Sequence, residues 1–186
     1  MPAALPAILA VHAPTAVQAA RELARETRRC SGRLTVTGEG VGALRVGASV
    51  AQVRKICRIP RARLKKGQPP PPDNVLDFKI GPTPVQAEVQ DGRVWRVIID
   101  GPQLKTTDKL GVGSPLSALL AAAPARASQG EGVVYATTQR HCGLSFQLDY
   151  RPRRGEDRDA WTADALAALP KDVKVDRVLI SGCSNR

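Results

Sequence analysis

The most reactive side chains in this chain of 186 residues are four cysteines. No two of them are close enough in sequence to form a C-x-x-C pair, so their spacing does not favour a zinc site. An even number of cysteines in an exported chain favours two disulfides, because disulfides persist in oxidising compartments. In a cytosolic chain the same residues would instead be buried thiols. The candidate disulfide residues are Cys30, Cys57, Cys142 and Cys183.

Catalytic chemistry has little support in the sequence. One histidine, His12, lies in the apolar N-terminal segment, and the other, His141, directly precedes Cys142. Sequence neighbours in a strand point to opposite faces, and a cysteine in a disulfide is not a nucleophile. The acidic residues are scattered, and no glycine-rich phosphate-binding motif is present. We predict that the protein is not an enzyme, and we assign no catalytic, metal-binding or cofactor-binding residue.

A strongly basic stretch suggests another kind of chemistry. The formal net charge is +11, and no acidic residue occurs between residues 40 and 72. Such a stretch suits an anionic surface or nucleic acid, although it contains no aromatic residue for stacking on bases. Codon usage in a GC-rich genome is an alternative origin of the arginines. The candidate anion contacts are Arg45, Arg54, Lys55, Arg58, Arg61, Arg63, Lys65 and Lys66.

The N-terminus resembles a secretory signal. Residues 1–19 contain a short apolar run followed by Val17-Gln18-Ala19, which has the small-x-small form of a cleavage site. No Lys or Arg precedes the run, so an alanine-rich extension of a cytosolic protein is the alternative. No stretch reaches the roughly 20 apolar residues of a membrane-spanning helix. We predict a signal peptide at 1–19, an extension at 20–32 and a periplasmic or secreted mature protein.

Two stretches that must position these residues resemble each other. Residues 41–56 and 107–122 align at an offset of 66, so that Gly47 matches Gly113 and Val50 matches Leu116. Each reads as a short apolar strand, a glycine turn and an amphipathic helix. In the second stretch Ser114 is a candidate helix cap, with Pro115 at the first helical position. In the first stretch Ser49 is a weaker candidate.

The similarity continues downstream through strands that alternate apolar and polar residues. Residues 74–81 match 142–150 at an offset of 68, and residues 91–100 match 173–183 at an offset of 81. An insertion between the last two strands explains the larger offset, and it contains a predicted helix at 161–169 with Thr162 as its cap.

These patterns predict an α+β fold of two tandem strand-helix-antiparallel-strand repeats, 33–103 and 104–186. One unit of about 60 residues is too small to cover its own core. Two units that share a sheet, with helices on one face, would close it. The expected positions at the ends of these elements favour the pairs Cys30–Cys57 and Cys142–Cys183.

The helix entry Gly47-Ala48-Ser49-Val50-Ala51-Gln52-Val53 resembles the repeat of β-lactamase-inhibitor-protein-like domains. The same unit is found in small exported lipoproteins of the outer-membrane barrel assembly machinery. The C-terminal part of the first unit and the start of the second also resemble exported bacterial proteins of unknown function. The resemblance implies an exported α+β protein that binds another protein. The chain lacks a lipidation cysteine and is poor in the aromatic residues of such inhibitors, so no functional residue is transferred.

The predicted function is therefore an exported, disulfide-stabilised binding or structural module with an unknown protein partner in the envelope. The alternative is a cationic protein that associates with anionic envelope or nucleic acid through residues 45–66.

Overall fold

The computed structural model describes Cys30 and residues 34–57, 64–66, 74–122, 124–153 and 161–183. The predicted signal peptide and all of the predicted extension except Cys30 lie outside this part of the chain. Strands outweigh helices in a mixed α+β fold. The strands are β1 (Val36–Thr37), β2 (Gly40–Val41), β3 (Leu44–Arg45), β4 (Leu64–Lys66), β5 (Asn74–Ile80), β6 (Thr83–Gln90), β7 (Arg93–Ile99), β8 (Ala125–Gly130), β9 (Val133–Thr138), β10 (Leu144–Leu148) and β11 (Val175–Ile180). The helices are α1 (Val50–Cys57), α2 (Leu116–Ala122) and α3 (Ala163–Ala167).

Eight of these strands form one antiparallel sheet in the order β4-β5-β6-β7-β11-β10-β9-β8. The four strands of the N-terminal part lie on one side and the four of the C-terminal part on the other. They meet where residues 97–99 of β7 pair with residues 178–180 of β11. The strands β1, β2 and β3 form a separate small sheet.

One face of the large sheet forms the hydrophobic core. Val85, Ile99, Val178 and Phe146 follow one another across four neighbouring strands, and all four are buried. This is the expected result of strand alternation, which sends every second side chain to the same face. Buried residues of all three helices and of the small sheet belong to the same core: Val36, Val41, Leu44, Val53, Leu116, Leu119 and Leu166.

The segments that lead into α1 and α2 make the same main-chain hydrogen bonds. The N–H of Gly47 donates to the carbonyl of Val94, and the N–H of Gly113 donates to the carbonyl of Val175, both at 2.7 Å. The two glycines have φ angles of 83° and 82°. Only glycine adopts this conformation without a steric cost, which explains why both turns contain it.

The first residues of the two helices also have matching contacts. The N–H of Val50 donates to the carbonyl of Gly92 at 3.1 Å, and the N–H of Leu116 donates to the carbonyl of Val173 at 2.9 Å. Each helix entry is therefore fixed to the beginning of the last strand of its own part of the sheet, β7 in one case and β11 in the other.

The strand registers match as well, but not as the sequence suggested. Ile99 pairs with Val85, and Ile180, which lies 81 residues later, pairs with Leu144. Both ladders contain a bulge, between residues 88 and 89 and between residues 147 and 148. By position in the sheet β10 matches β6, next to the junction of β7 and β11. The predicted match of 74–81 with 142–150 is therefore wrong, because residues 74–80 form β5 and not β6. The error arose because both segments contain alternating apolar residues, and this alternation does not reveal the order of the strands.

The helix caps also differ from the prediction. Ser49 and Gln52 form a reciprocal capping box, in which each side-chain oxygen accepts a hydrogen bond from the other residue's N–H, at 3.2 and 2.8 Å. Ser114 instead accepts a hydrogen bond from the N–H of Gly111 at 3.0 Å. Pro115, not Ser114, occupies the position equivalent to Ser49, because its carbonyl accepts the corresponding helical hydrogen bond. The predicted cap at Ser114 is wrong by one residue.

The insertion between β10 and β11 carries the short helix α3, which spans five residues rather than the predicted 161–169. The hydroxyl of Thr162 accepts a hydrogen bond from the N–H of Ala165 at 3.2 Å, as expected of a cap. Leu166 is buried in the core. Trp161 exchanges main-chain hydrogen bonds with Ala127 of the edge strand β8, so the insertion covers part of that edge.

The structure contains both disulfides, with the pairing that was expected from the sequence. Cys30 is joined to Cys57 at the end of α1, with their Cα atoms 4.5 Å apart. Cys142 is joined to Cys183 across the ends of β10 and β11, with their Cα atoms 5.2 Å apart. The first links the N-terminal segment to a helix, and the second links two neighbouring strands.

The hairpin of β1 and β2 packs tightly against the second disulfide. A Cβ atom at Gly38 would lie 1.8 Å from the carbonyl oxygen of Cys142, so only glycine fits there. The carbonyl of Gly38 accepts a hydrogen bond from the N–H of Gly182 at 3.0 Å. The carboxylate of Glu39 accepts one from the N–H of Cys183 at 2.9 Å.

Candidate functional site

The side of the large sheet opposite the core is the candidate functional site, and we call it the open face. Its residues alternate with those of the core. They are Val75, Asp77, Lys79, Pro84, Gln86, Glu88, Trp95, Arg96, Ile98, Arg126, Ser128, Val133, Tyr135, Thr137, Ser145, Gln147, Asp176, Arg177 and Leu179, with Asp100 directly after β7. Ile98, Val133 and Leu179 are buried but do not belong to the core that contains the helices.

The distribution of aromatic residues distinguishes this face. The chain has six aromatic residues. Four of them lie in the core or pack against it: Phe78, Phe146, Tyr150 and Trp161. The remaining two, Trp95 and Tyr135, are partly exposed on the open face. Trp95 is therefore a surface residue, whereas Trp161 is buried in the core.

The two bulges determine which side chains lie on the surface in the middle of the open face. In β7, Arg96 lies opposite Glu88, and Trp95 is the extra residue of the bulge. In β11, Arg177 lies opposite Gln147, and Asp176 is the extra residue. A bulge turns an additional side chain toward the same face. This placement lets the guanidinium of Arg96 lie over the Trp95 ring, with its Cζ 4.6 Å from the ring centroid, a cation–π arrangement.

Both arginines are held by carboxylates. Arg96 donates to Glu88 at 2.5 Å, and Glu88 is almost fully buried, with 9% of its side chain exposed. Arg177 donates to Asp100 at 2.5 Å in a more exposed pair, with 41% and 37% of the two side chains accessible. The two pairs fix the positions of the guanidinium groups and leave their flat faces free to pack against neighbours.

The two remaining acidic side chains of the face are held by amides. Asp77 accepts a hydrogen bond from Gln86 at 3.0 Å, and Asp176 accepts one from Gln147 at 3.1 Å. Every carboxylate of the face therefore has a hydrogen-bond donor of its own.

An apolar pair lies at the centre of the open face. Ile98 of β7 and Leu179 of β11 are cross-strand neighbours, and they are 5% and 7% exposed. Among the described residues, their neighbours on this face are the side chains of the flanking rows. Arg96 and Trp95 lie on one side of the pair, and Arg177, Gln147 and Tyr135 form the row on the other side. Arginine stems can cover apolar surface in this way while their charged ends stay in contact with water.

The ionisation of Tyr135 reflects this crowding. Burial raises the pKa of Tyr135 above its ordinary value of 10.0, and Glu131 and Glu88 raise it further, whereas Arg96 and Arg177 lower it. Strand β9, which carries Tyr135, lies four strands from β6, which carries Glu88, or about 19 Å in a flat sheet. Charges from both halves of the sheet therefore act on one phenol.

The sequence did not identify the four residues that surround the apolar pair as a group. They are Trp95, Arg96, Tyr135 and Arg177. The one available signal was the match of Arg96 with Arg177 at an offset of 81. The bulges that bring Trp95 to the surface come from strand pairing between distant segments, and they leave no pattern in the sequence.

The basic stretch falls on several elements. Arg45 ends β3, and Lys55 lies on an exposed side of α1. Arg54 is partly buried on the same helix. Lys65 and Lys66 belong to the edge strand β4. Arg58, Arg61 and Arg63 lie outside the described residues. The described members therefore do not share one element, and their proposed contact with anions stays a prediction.

The contacts of His141 connect two segments of the fold. Its Nδ1 lies 2.9 Å from the Thr138 hydroxyl, and its Nε2 lies 3.4 Å from the Asp108 carboxylate. Its ring meets Phe146 edge-on at 6.1 Å between centroids. Asp108 also accepts from Arg140 at 3.3 Å, and this hydrogen bond is the main reason why the pKa of Asp108 lies below its ordinary value. The imidazole thus joins the loop before α2 to the end of β9.

Within the described part of the chain, no three His, Cys, Asp or Glu residues are placed to hold a metal ion. The described helices are all too short or too polar to cross a membrane.

Comparison with known proteins identifies the fold but not a family. No protein-family model matches the chain, and no curated protein matches its sequence. The crystal structure of the uncharacterized protein yfeY from Escherichia coli is similar, with a TM-score of 0.54 and 17% sequence identity. The match covers 79% of this chain and 99% of that one. At this identity the likeness concerns the arrangement of the backbone, and it does not extend the resemblance to β-lactamase-inhibitor-protein-like domains.

Proposed function

We propose that the protein is an exported binding module, not an enzyme, and that it contacts a protein partner through the open face. The observation that supports this proposal best is the position of Trp95 and Tyr135 beside Arg96 and Arg177, around a buried apolar pair. Tryptophan, tyrosine and arginine are the residues most enriched among those that dominate binding energy at protein interfaces. The rest of the chain's aromatic residues pack in or against the core.

The disulfides support the proposed export of the protein. Two disulfides and no free cysteine occur among the described residues, which indicates an oxidising environment. Export through a signal peptide at 1–19, and residence in the periplasm or the medium, are part of the proposal. Intact mass of the protein isolated from its host, without reduction, measures both the cleavage site and the number of disulfides.

We further propose that the chain arose from two tandem repeats, 33–103 and 104–186, which share the sheet and place their helices on one face. The matching hydrogen bonds of Gly47 and Gly113, and the bulges at equivalent places in two ladders, support this origin. A common origin of the two segments would account for their shared helix entry, register and bulge.

The proposed surface can be tested by site-specific photo-crosslinking in the host. A photoreactive phenylalanine analogue at Pro84 or Thr137 would place the probe on exposed positions in the two halves of the open face. The matched control places it at Lys171, on the loop between α3 and β11. We expect the same protein adduct from both open-face positions and not from the control. Adducts from the control alone, or from neither face position, would contradict the proposal.

The same experiment distinguishes the alternative function. A cationic protein that binds anionic envelope or nucleic acid through residues 45–66 would give adducts from a probe at Lys55 and none from Pro84 or Thr137. Its binding to vesicles or DNA would also fall steeply with salt.

A further inference from the structure

We propose that the occupant of the open face is a second copy of this chain, which packs its own open face against the first. The two copies are related by a two-fold axis that runs along the strands at the junction of β7 and β11. This inference rests on the proposed function and names the partner of that face. It is supported by the order of the charges on the face and by the size of the face.

Two rows of side chains cross the centre of the open face, as the strand registers show. The first, which we call the Ile98 row, passes through Gln86, Ile98, Leu179 and Ser145 on β6, β7, β11 and β10. The second, which we call the Asp100 row, passes in the same order through Pro84, Asp100, Arg177 and Gln147. At the junction, the first row thus has an apolar pair and the second has an acid beside a base.

The two-fold axis exchanges β7 with β11 and superimposes each row on itself. Ile98 of one copy then faces Leu179 of the other, and Asp100 of one copy faces Arg177 of the other. Each copy already pairs its own Asp100 with its own Arg177. The four charged groups of the two copies therefore alternate in sign around the axis. The centre of the face is complementary to itself, as a two-fold interface between identical copies requires.

The outer positions of the two rows agree with this arrangement. In the Asp100 row, Lys79 of β5 faces Tyr135 of β9 in the second copy. In the Ile98 row, Asp77 of β5 faces Thr137 of β9. Among the described residues of the two rows, no charge faces another charge of the same sign.

A two-fold axis across the strands gives the opposite result. It would place each residue of the Ile98 row on the same residue of the second copy. Asp77 at one end of this row would face Asp77, and Arg126 at the other end would face Arg126. Like charges opposite each other are strongly disfavoured in an interface. The order of the charges therefore selects the axis along the strands.

The carboxylates of the face can be covered by a second copy without losing their hydrogen bonds. Each of them already accepts a hydrogen bond from a side chain of its own face; they are Asp77, Glu88, Asp100 and Asp176. Burial of a polar group is costly mainly when it is left without a partner. The face therefore combines an apolar and aromatic centre with polar groups that are ready for burial.

The size of the face suits a second sheet. The seven strands from β5 to β8 span about 29 Å if the sheet is flat, and strands of about six residues are about 20 Å long. This area is on the order of 600 Å², whereas a typical specific interface buries about 800 Å² of each partner. An occupant must therefore use almost the whole face. A second copy of the same sheet has the required dimensions, and two sheets pack face to face in this way in β-sandwiches.

The experiment uses two charge-reversal variants of the full exported chain with both disulfides intact. Asp100→Arg makes the centre of the face basic, and Arg177→Asp makes it acidic. The matched controls are Asp172→Arg and Lys171→Asp, which change the net charge by the same amounts on the exposed loop between α3 and β11. Circular dichroism verifies that each variant is folded, and sedimentation velocity measures the dimer at low salt.

We expect the natural chain and both controls to dimerise with affinities that agree within twofold. Each test variant alone should dimerise at least tenfold more weakly, because like charges then meet at the axis. An equimolar mixture of the two test variants should regain the dimer, since the basic centre of one then faces the acidic centre of the other. A natural chain that stays monomeric at about 100 μM, equal weakening in the controls, or a mixture that stays monomeric would overturn the inference.

The photoreactive probes distinguish failure of this inference from failure of the proposed function. A probe at Pro84 should give an adduct of twice the mass of the chain, with the cross-link on β10 near Gln147, and a probe at Thr137 should cross-link to β5 near Asp77. An adduct of both probes with a different protein would overturn the second copy as the occupant but would support the open face as the binding surface. The absence of any adduct from the two positions would remove both.

Discussion

Removal of the Arg96 guanidinium should destabilise the protein through Glu88. The carboxylate of Glu88 lies on the open face with only 9% of its side chain exposed, and Arg96 is its charged partner at 2.5 Å. In Arg96→Met the chain keeps a side chain of similar length, but the carboxylate loses that partner. A buried charge without a partner costs several kcal/mol, whereas an exposed pair is worth little.

The expected magnitude lies between these limits. Breaking a fully buried pair costs about 3–5 kcal/mol, and breaking an exposed one about 0.2–1 kcal/mol. Since Glu88 is nearly buried but 28% of the Arg96 side chain is exposed, we expect a loss of about 2–3 kcal/mol, which includes about 0.5–1 kcal/mol for the cation–π contact with Trp95. In a chain of this length such a loss lowers Tm by about 4–12 °C.

The assay is urea unfolding with both disulfides intact, applied as a double-mutant cycle. Glu88→Leu/Arg96→Met should be more stable than Arg96→Met alone, because the buried charge is gone, with a coupling of at least about 1 kcal/mol. Arg177→Met is the matched control, because Arg177 occupies the equivalent place in β11 but its pair with Asp100 is exposed. That variant should lose less than about 1 kcal/mol. Equal losses in the two single variants, or additive effects in the cycle, would show that burial of Glu88 does not govern the energetics of the face.

Three further predictions concern the fold and the face. Ser49→Ala should lower the free energy of unfolding by about 1 kcal/mol, and Gln52→Ala should lower it by less, since each variant removes one half of the capping box. Chemical denaturation measures both losses. A variant that loses no stability would contradict the role of its residue in the cap. Gly38→Ala should cost at least about 2 kcal/mol by the same measurement, because the new methyl group would overlap the carbonyl of Cys142; a stability like that of the natural chain would refute the packing. Because the folded-state pKa of Tyr135 is raised above 10.0, the folded chain keeps a proton that the unfolded chain releases. The free energy of unfolding should therefore fall as pH rises above about 10, with a smaller fall in Tyr135→Phe, and an identical pH profile in that variant would rule out this phenol as the cause.

The local elements were predictable because short-range chemistry determines them. The glycine at each helix entry and the Thr162 cap depend on neighbours within a few residues. The disulfide pairing could also be anticipated, since the strand and helix ends that carry the cysteines were recognisable from their apolar periodicity. Apolar periodicity predicts which residues of one helix or strand are buried on the same side.

The order of the strands could not be predicted in the same way. Alternating residues in 74–81 and 142–150 have the same period, and only the long-range pairing shows that β10 lies next to β11, as β6 lies next to β7. The candidate site depends on the same long-range information. Trp95 reaches the surface because β7 contains one residue more than its partner at that point, and the extra residue is visible only once both strands are paired.

The junction of β7 and β11 has a consequence for how the molecule opens. In the large sheet only three described residue pairs, between 97–99 and 178–180, join the N-terminal strands to the C-terminal strands. The hairpin of β1 and β2 reaches from the N-terminal part to Gly182, just beyond β11, where Cys183 is anchored to Cys142. This hairpin thus forms a second connection between the two parts of the chain, beside the seam formed by residues 97–99 and 178–180. Reduction of the Cys142–Cys183 disulfide should therefore raise the rate of hydrogen exchange along that seam, which is the line where the two halves of the open face meet.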